Sequence, residues 1–419
     1  MTQEPKRGSS AIILIGILFF IFGFITWANS QLIPYFKIAC ELTDTQSYLV
    51  ATAFFAAYFF MAIPSSMVLK ATGFKKGMSL GLVVMAVGAL IFIPAAQTRN
   101  YSFFLTALFI IGTGLALLQT ASNPYVTVLG PIESAAKRIS IMGICNKIAG
   151  ILAVYILGSI TLSNADEVKA KLLTLGPREK AAELDMLASR VIGPYIIIAV
   201  SLILLAIVFY FIHLPEVKEE EDAEMKAEIG RTTVWQYTYL LLGALAIFFY
   251  VGVEVISYDT FASFGEHLGY PLATAKNFAS FTGYGLLAGY VLSIIAIPKY
   301  VSQGTALIVA TVLSMALVTL AVVTEGDVAV VCFALLGFSN SVMWPAIWPL
   351  AIEGLGRFTK FGSALLIMGI VGGALLPPFY GKVAEMVDSK QLAYFIMIPC
   401  YIYILFFALK GHKIGKKVR

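Results

Sequence analysis

Charge is the first thing this chain does without. Asp, Glu, Lys and Arg together make up 13% of its 419 residues, while hydrophobic types reach 59% and mean hydropathy is +0.87. A soluble domain carries about 25% charge, so a water-exposed globule of this size is excluded, and the apolar excess must face lipid. Histidine is nearly absent: His213, His267 and His412 are too dispersed to form a metal cluster. The four cysteines (Cys40, Cys145, Cys332, Cys400) are scattered, with no CxxC spacing, which gives redox or zinc chemistry little support. P-loop, HExxH and GxSxG signatures are missing, so nothing points to an enzyme, and ATP-driven transport would need a separate partner. The net charge of +5 is not gathered into a basic stripe interleaved with aromatics, which excludes nucleic acid as a partner. No cofactor is expected.

What is present is a succession of apolar runs. A bilayer-crossing helix needs about 20 such residues. Twelve runs qualify, at approximately 11–36, 46–70, 77–97, 102–128, 139–162, 191–213, 237–265, 273–297, 302–323, 327–353, 361–384 and 391–410. All are predicted to be helices, because hydrocarbon offers no partner to an unpaired backbone amide. The first run outlasts a signal-peptide core and is read as a retained span. Lysine and arginine set the orientation. Lys6, Arg7, Lys70, Lys75, Lys76, Lys137, Arg138, Arg357 and Lys360 fall on one side with both termini, which is predicted to be cytoplasmic in an inner, multi-pass cell membrane. The long opposite loop, 163–190, balances five basic against five acidic residues and reads as amphipathic helical pieces lying on the outer surface.

The widest composition shift is "HLPEVKEEEDAEMKAEIGR" (213–231), a charged stretch that divides six spans from six. It predicts a bundle over 1–213, a cytoplasmic linker over 214–236 and a second bundle over 237–419. The halves echo each other: "LGPIESAAKRISIMGI" (129–144) parallels "LGRFTKFGSALLIMGI" (355–370). Paired halves with a midplane site are the mark of a transporter.

Polar residues inside these runs are the candidates for that site. Gln119 and Asn123 lie four apart on one helix face, and Pro124 frees nearby carbonyls. The plain alternative is helix–helix fastening, worth about 0.6 kcal/mol per bond on average. The functional reading is a hydroxyl-binding patch, since an amide both donates and accepts. The first span holds "TWANSQ" (26–31), with Asn29, and the fifth holds Asn146 and Lys147. Lys147 is expected to snorkel to the cytoplasmic surface. Glu254 and Asp259 lie in the seventh run, where a carboxylate is costly and points to function. They are the candidates for cation coupling, with Glu254 also a possible sodium ligand. Asn277, Phe281 and Tyr284 share a face of the eighth run, and Asn340, Trp344 and Trp348 share one of the tenth. An indole beside amides suits a sugar, whose C–H faces stack while its hydroxyls bond. Glu353, near Arg357 and Lys360, reads as part of a cytoplasmic gate with Lys137 and Arg138.

"FGFITWANSQLIPYFK", "FMAIPSSMVLKATGFKKG", "LLQTASNPYVTVLGPIESAAKRISIMGICNK" and "TKFGSALLIMGIVGGALLPP" resemble the fucose/glucose/galactose symporter family of the major facilitator superfamily, most closely its glucose/galactose branch. The resemblance spans nearly the whole chain. It implies an all-α membrane fold of twelve helices in two six-helix bundles, alternating access, a central hexose site and a monomer. The fucose–proton symporters of the family use carboxylates on spans one and four; here those positions fall at about Asn29 or Ser30 and at Gln119, none acidic. The family's span-five asparagine matches Asn146, which carries over as a sugar ligand. The resulting expectation is hexose import by cation symport. Asn29, Gln119, Asn123 and Asn146 bind sugar from the first half, and Asn277, Asn340 and Trp344 from the second. Sodium is favoured narrowly over a proton, because the half that usually carries the proton offers no acid and hard cations suit neutral oxygens. Uniport ranks third. A drug exporter, a membrane enzyme and a non-transporting sugar receptor are the remaining alternatives.

Overall fold

The computed structural model describes residues 4–128, 135–212, 233–297, 299–353, 355 and 358–416. Twelve helices among them are long and apolar enough to cross a membrane, from Ile13–Ala39 to Lys390–Leu409. They lie close to the runs read from the sequence, because lipid makes hydropathy the dominant constraint. The helices also wear their apolar residues outward: Ile197 is 68% exposed, Leu204 58% and Phe211 71%. Those faces need a hydrocarbon solvent.

The spans pack into two six-helix bundles. In the first, spans two to four, five with one, and six against two and three are the main neighbours; in the second, seven packs on eleven, eight on ten, and nine on ten and twelve. Close approach rests on glycine. A Cβ at Gly372 would meet the Phe248 carbonyl oxygen at 1.8 Å, and one at Gly337 would meet that of Thr282 at 2.0 Å. Small residues let transmembrane backbones touch in this way. Between spans two and three the helix Leu49–Gln97 is interrupted at Gly73, whose φ of 74° only glycine adopts without strain.

Spans one and ten are each divided into shorter helices. The first is split into Glu4–Trp27 and Asn29–Ala39, the latter containing Pro34. The tenth is split into Gly326–Asn340 and Met343–Ile352; Pro345 has no N–H to give Ser341, so the ladder lapses there. The predicted outer pieces appear as Ala165–Leu172 and Pro177–Ser189, seated by Val168, Leu184 and Leu187.

Candidate functional site at the seam between the bundles

The bonds that join the two bundles gather at the end opposite the chain termini. Lys390 pairs with Asp44 at 3.4 Å, and Lys37 reaches the same carboxylate at 2.6 Å. Lys169 pairs with Glu266. The Asp166 carboxylate accepts from the backbone N–H groups of Leu272 and Ala273. The Gln31 amide donates to the Lys276 carbonyl at 2.6 Å, and the Lys276 ammonium donates to the carbonyls of Gly158 and Leu162. The structure is closed at this end.

Below that closure lies a small apolar cluster of its own: Trp27, Val154, Tyr258, Ala279 and Leu286. It draws on spans one, five, seven and eight, so it straddles the seam. Trp27 is its centre. The indole lies 4.2 Å from the Tyr258 ring, and its Nε1–H donates to Asn146 Oδ1 at 3.2 Å. It fits against the fifth span because position 150 is glycine; a Cβ there would meet the ring at 2.5 Å.

Lys147 completes the arrangement. Its ammonium stands 4.0 Å from the centre of the Trp27 ring and 3.2 Å from Glu254 Oε1. Both charged residues are 7% exposed. The expected snorkelling of Lys147 is therefore corrected. The fifth-span helix turns position 147 inward, and a cross-bundle carboxylate together with the face of an indole replaces water around the ammonium. The Glu254 carboxylate, a possible sodium ligand by sequence, is held by an ammonium in this structure. Neither Trp27 nor Lys147 was read from the sequence as a site residue. The tryptophan inside the "TWANSQ" island was the available signal.

The other candidates fall into three groups. Asn146 belongs to the seam; its amide also donates to the Phe19 carbonyl at 3.4 Å. Trp344 stacks on Trp348 at 5.3 Å and approaches Tyr250, one turn from Glu254, at 6.3 Å. Gln119 is half-buried within the first bundle and donates to the Tyr58 hydroxyl at 3.0 Å. Asn29 is fully buried with neither amide atom bonded, and Asp259 is buried with Oδ1 unbonded.

Asn340, a candidate sugar ligand by sequence, fastens helices in this structure. Its Oδ1 accepts from the Tyr401 hydroxyl at 3.0 Å and the Ser314 hydroxyl at 3.3 Å, and its Nδ2 reaches Ser257 Oγ at 3.5 Å. One side chain thus ties span ten to spans seven, nine and twelve. Replacing it with leucine takes the acceptor from the buried Tyr401 hydroxyl, at about 1–3 kcal/mol, while Ser314 keeps its bond to Ser339 Oγ at 2.7 Å. Asn340→Leu is expected to lower the thermal midpoint in detergent clearly while leaving ligand affinity of the folded protein intact. Asn277 is likewise not brought to the others. It takes the N-terminal cap position of its span without a side-chain cap bond, and on the face it shares with Phe281 and Tyr284 it is the Tyr284 hydroxyl that crosses the seam, donating to the Tyr155 hydroxyl at 3.3 Å. Glu353 Oε2 pairs with Lys416 at 2.6 Å. The side chains of Asn123, Lys137 and Arg138 and the whole of Arg357 lie outside the described residues, and so does the predicted gate they form.

Comparison with known proteins adds a second kind of observation. Residues 15–378 match the Major Facilitator Superfamily. A glucose/galactose transporter of Brucella abortus is 35% identical over 98% of this chain and 96% of its own length. The L-fucose-proton symporter of Escherichia coli K12 is 30% identical over 94% of this chain and 91% of its own. The crystal structure of the transporter FucP in the outward conformation superposes with a TM-score of 0.73 at 28% identity, covering 97% of this chain and 99% of that one.

Proposed function

The chain belongs to the Major Facilitator Superfamily, and within it to the family of glucose/galactose transporters and fucose–proton symporters; from that premise we propose that it imports a neutral hexose, glucose or galactose in type, by cation symport with alternating access. It is a multi-pass membrane transporter and not an enzyme. The observation that carries the reading is the buried seam itself. An indole, an amide and an ion pair meet between the two bundles, where a repeat-built transporter holds its substrate. The Trp27 and Trp344 rings suit the C–H faces of a sugar, and Asn146 and Gln119 suit its hydroxyls. In the closed arrangement these amides already accept from Trp27 or donate to Tyr58. Sugar binding therefore exchanges protein partners for sugar hydroxyls as the bundles part. In this reading residues 1–213 and 237–419 are the two moving units, with the basic loops and both termini inside; the linker read over 214–236 lies, as far as residue 232, outside the described residues.

The coupling ion we propose is the proton. The sequence favoured sodium, but the one acid at the seam centre is held by an ammonium rather than by neutral oxygens alone. Sodium is the second reading, favoured by the unbonded oxygens of Asn29 and Asp259. Radiolabelled hexose uptake into proteoliposomes decides between them. An inward proton gradient is expected to drive accumulation, and a sodium gradient alone is not. Gln119→Ala is expected to abolish uptake with normal membrane insertion; unaltered uptake removes Gln119 from the site.

A further inference from the structure

We propose that Lys147 is a built-in counter-cation of the transport cycle, which occupies the Glu254 carboxylate in the empty carrier and by re-forming that pair expels the co-transported proton. This rests on the symport reading above and assigns the coupling step within it.

The geometry gives the two partners different fates when the bundles separate. Lys147 and Trp27 both belong to the first bundle, on spans five and one. Their cation–π contact survives any rigid-body motion of one bundle against the other. Glu254 belongs to the second bundle, and its ion pair among the described residues is with Lys147. A hexose admitted to the seam has to come between them. Lys147 then keeps the indole face and its charge. Glu254 is left among Tyr250, Tyr258 and Asp259 on its own span, Tyr290 on the eighth and Tyr401 on the twelfth, none of them a cation. Tyr250 hydrogen-bonds the carboxyl but brings no charge, and a buried carboxylate without a counter-charge is neutralised by taking up a proton.

The proton balance follows. With the seam open to the outside, a proton from outer water bonds to a Glu254 carboxylate oxygen as sugar binds. The loaded carrier crosses with Lys147 charged and Glu254 neutral. Once sugar has left to the cytoplasm, the ammonium returns to Glu254, the O–H bond breaks, and the proton passes to cytoplasmic water. The empty carrier returns with the ion pair closed and no proton aboard. Lys147 itself never loses its proton.

The test uses the full chain in proteoliposomes with three readouts: hexose counterflow, accumulation driven by a pH gradient, and sugar-triggered acidification of a trapped dye. Per molecule of folded, monodisperse protein, Glu254→Gln and Lys147→Gln are expected to retain counterflow, lowered by about tenfold at most, while accumulation and acidification are lost. Lys147→Arg, which retains a cation over the indole, is expected to keep all three. Because either single variant leaves one buried charge, the neutral double variant Lys147→Gln/Glu254→Gln is the decisive case. If the pair is merely a fastener, removing both charges restores pH-driven accumulation, and the proposal is overturned. Intact accumulation in Glu254→Gln overturns it as well. Wild-type counterflow coupled to sodium and indifferent to pH overturns this inference while leaving hexose transport standing. No counterflow in the wild type overturns both.

Discussion

Lys147→Met is expected to unfold the protein far more readily than the double replacement Lys147→Met/Glu254→Leu. The single change leaves Glu254, 7% exposed, without the ammonium that sits 3.2 Å from it. Breaking a buried pair from one side costs about 3–5 kcal/mol, whereas exchanging both partners for apolar side chains is often neutral or stabilising. Trp27 adds to the loss, because its ring faces the same ammonium at 4.0 Å. A desolvated cation–π contact is worth about 2 kcal/mol. Thermal unfolding in detergent, followed by the monodisperse fraction on size exclusion, gives both values. The expected order is wild type and double variant together, with the single variant well below. A single variant as stable as wild type would mean that the two charges are not paired in the empty protein.

Gly23→Leu is expected to abolish folded protein, and Gly23→Ala to lower its melting temperature markedly. A Cβ at position 23 would lie 1.9 Å from the Asn146 carbonyl oxygen, 2.6 Å from its carbonyl carbon and 2.7 Å from its Cα. All three atoms are backbone of another helix, so no rotamer change relieves the clash, and spans one and five must part. Overpacking a core costs about 1–3 kcal/mol where side chains can give way; a rigid backbone neighbour puts this site at the upper end or beyond. The displaced segment carries Asn146 and Lys147, so surviving Gly23→Ala protein is expected to lose uptake more steeply than stability. Gly193→Ala is the control, since nothing lies within 4 Å of a Cβ there.

The spans were legible because hydropathy answers to one uniform solvent. The helices Ala165–Leu172 and Pro177–Ser189 were legible from balanced charge around a few periodic leucines. What the chain did not disclose was how each helix is turned about its own axis. Lys147 and Glu254 stand 107 positions apart, and no local pattern says that their faces meet. The stripe of Asn277, Phe281 and Tyr284 is a second case, since only the fold shows that Tyr284 is the member that reaches Tyr155 across the seam. Asn340 is a different case. Its amide was recognisable as out of place in an apolar run, but fastening helices and greeting a solute demand the same chemistry. Only the hydroxyls of Tyr401 and Ser314 show which it does.

The missing backbone bond at Pro345 gives the tenth span two mechanical roles. Its upper rod, Gly326–Asn340, is clamped to three neighbours through Asn340, while the lower rod, Met343–Ile352, carries the stacked pair Trp344 and Trp348. A joint stands between anchor and lever. The aromatic pair can swing against the seam while the upper part of its bundle keeps its shape, so a solute pressing on Trp344 works against one hinge instead of against six helices.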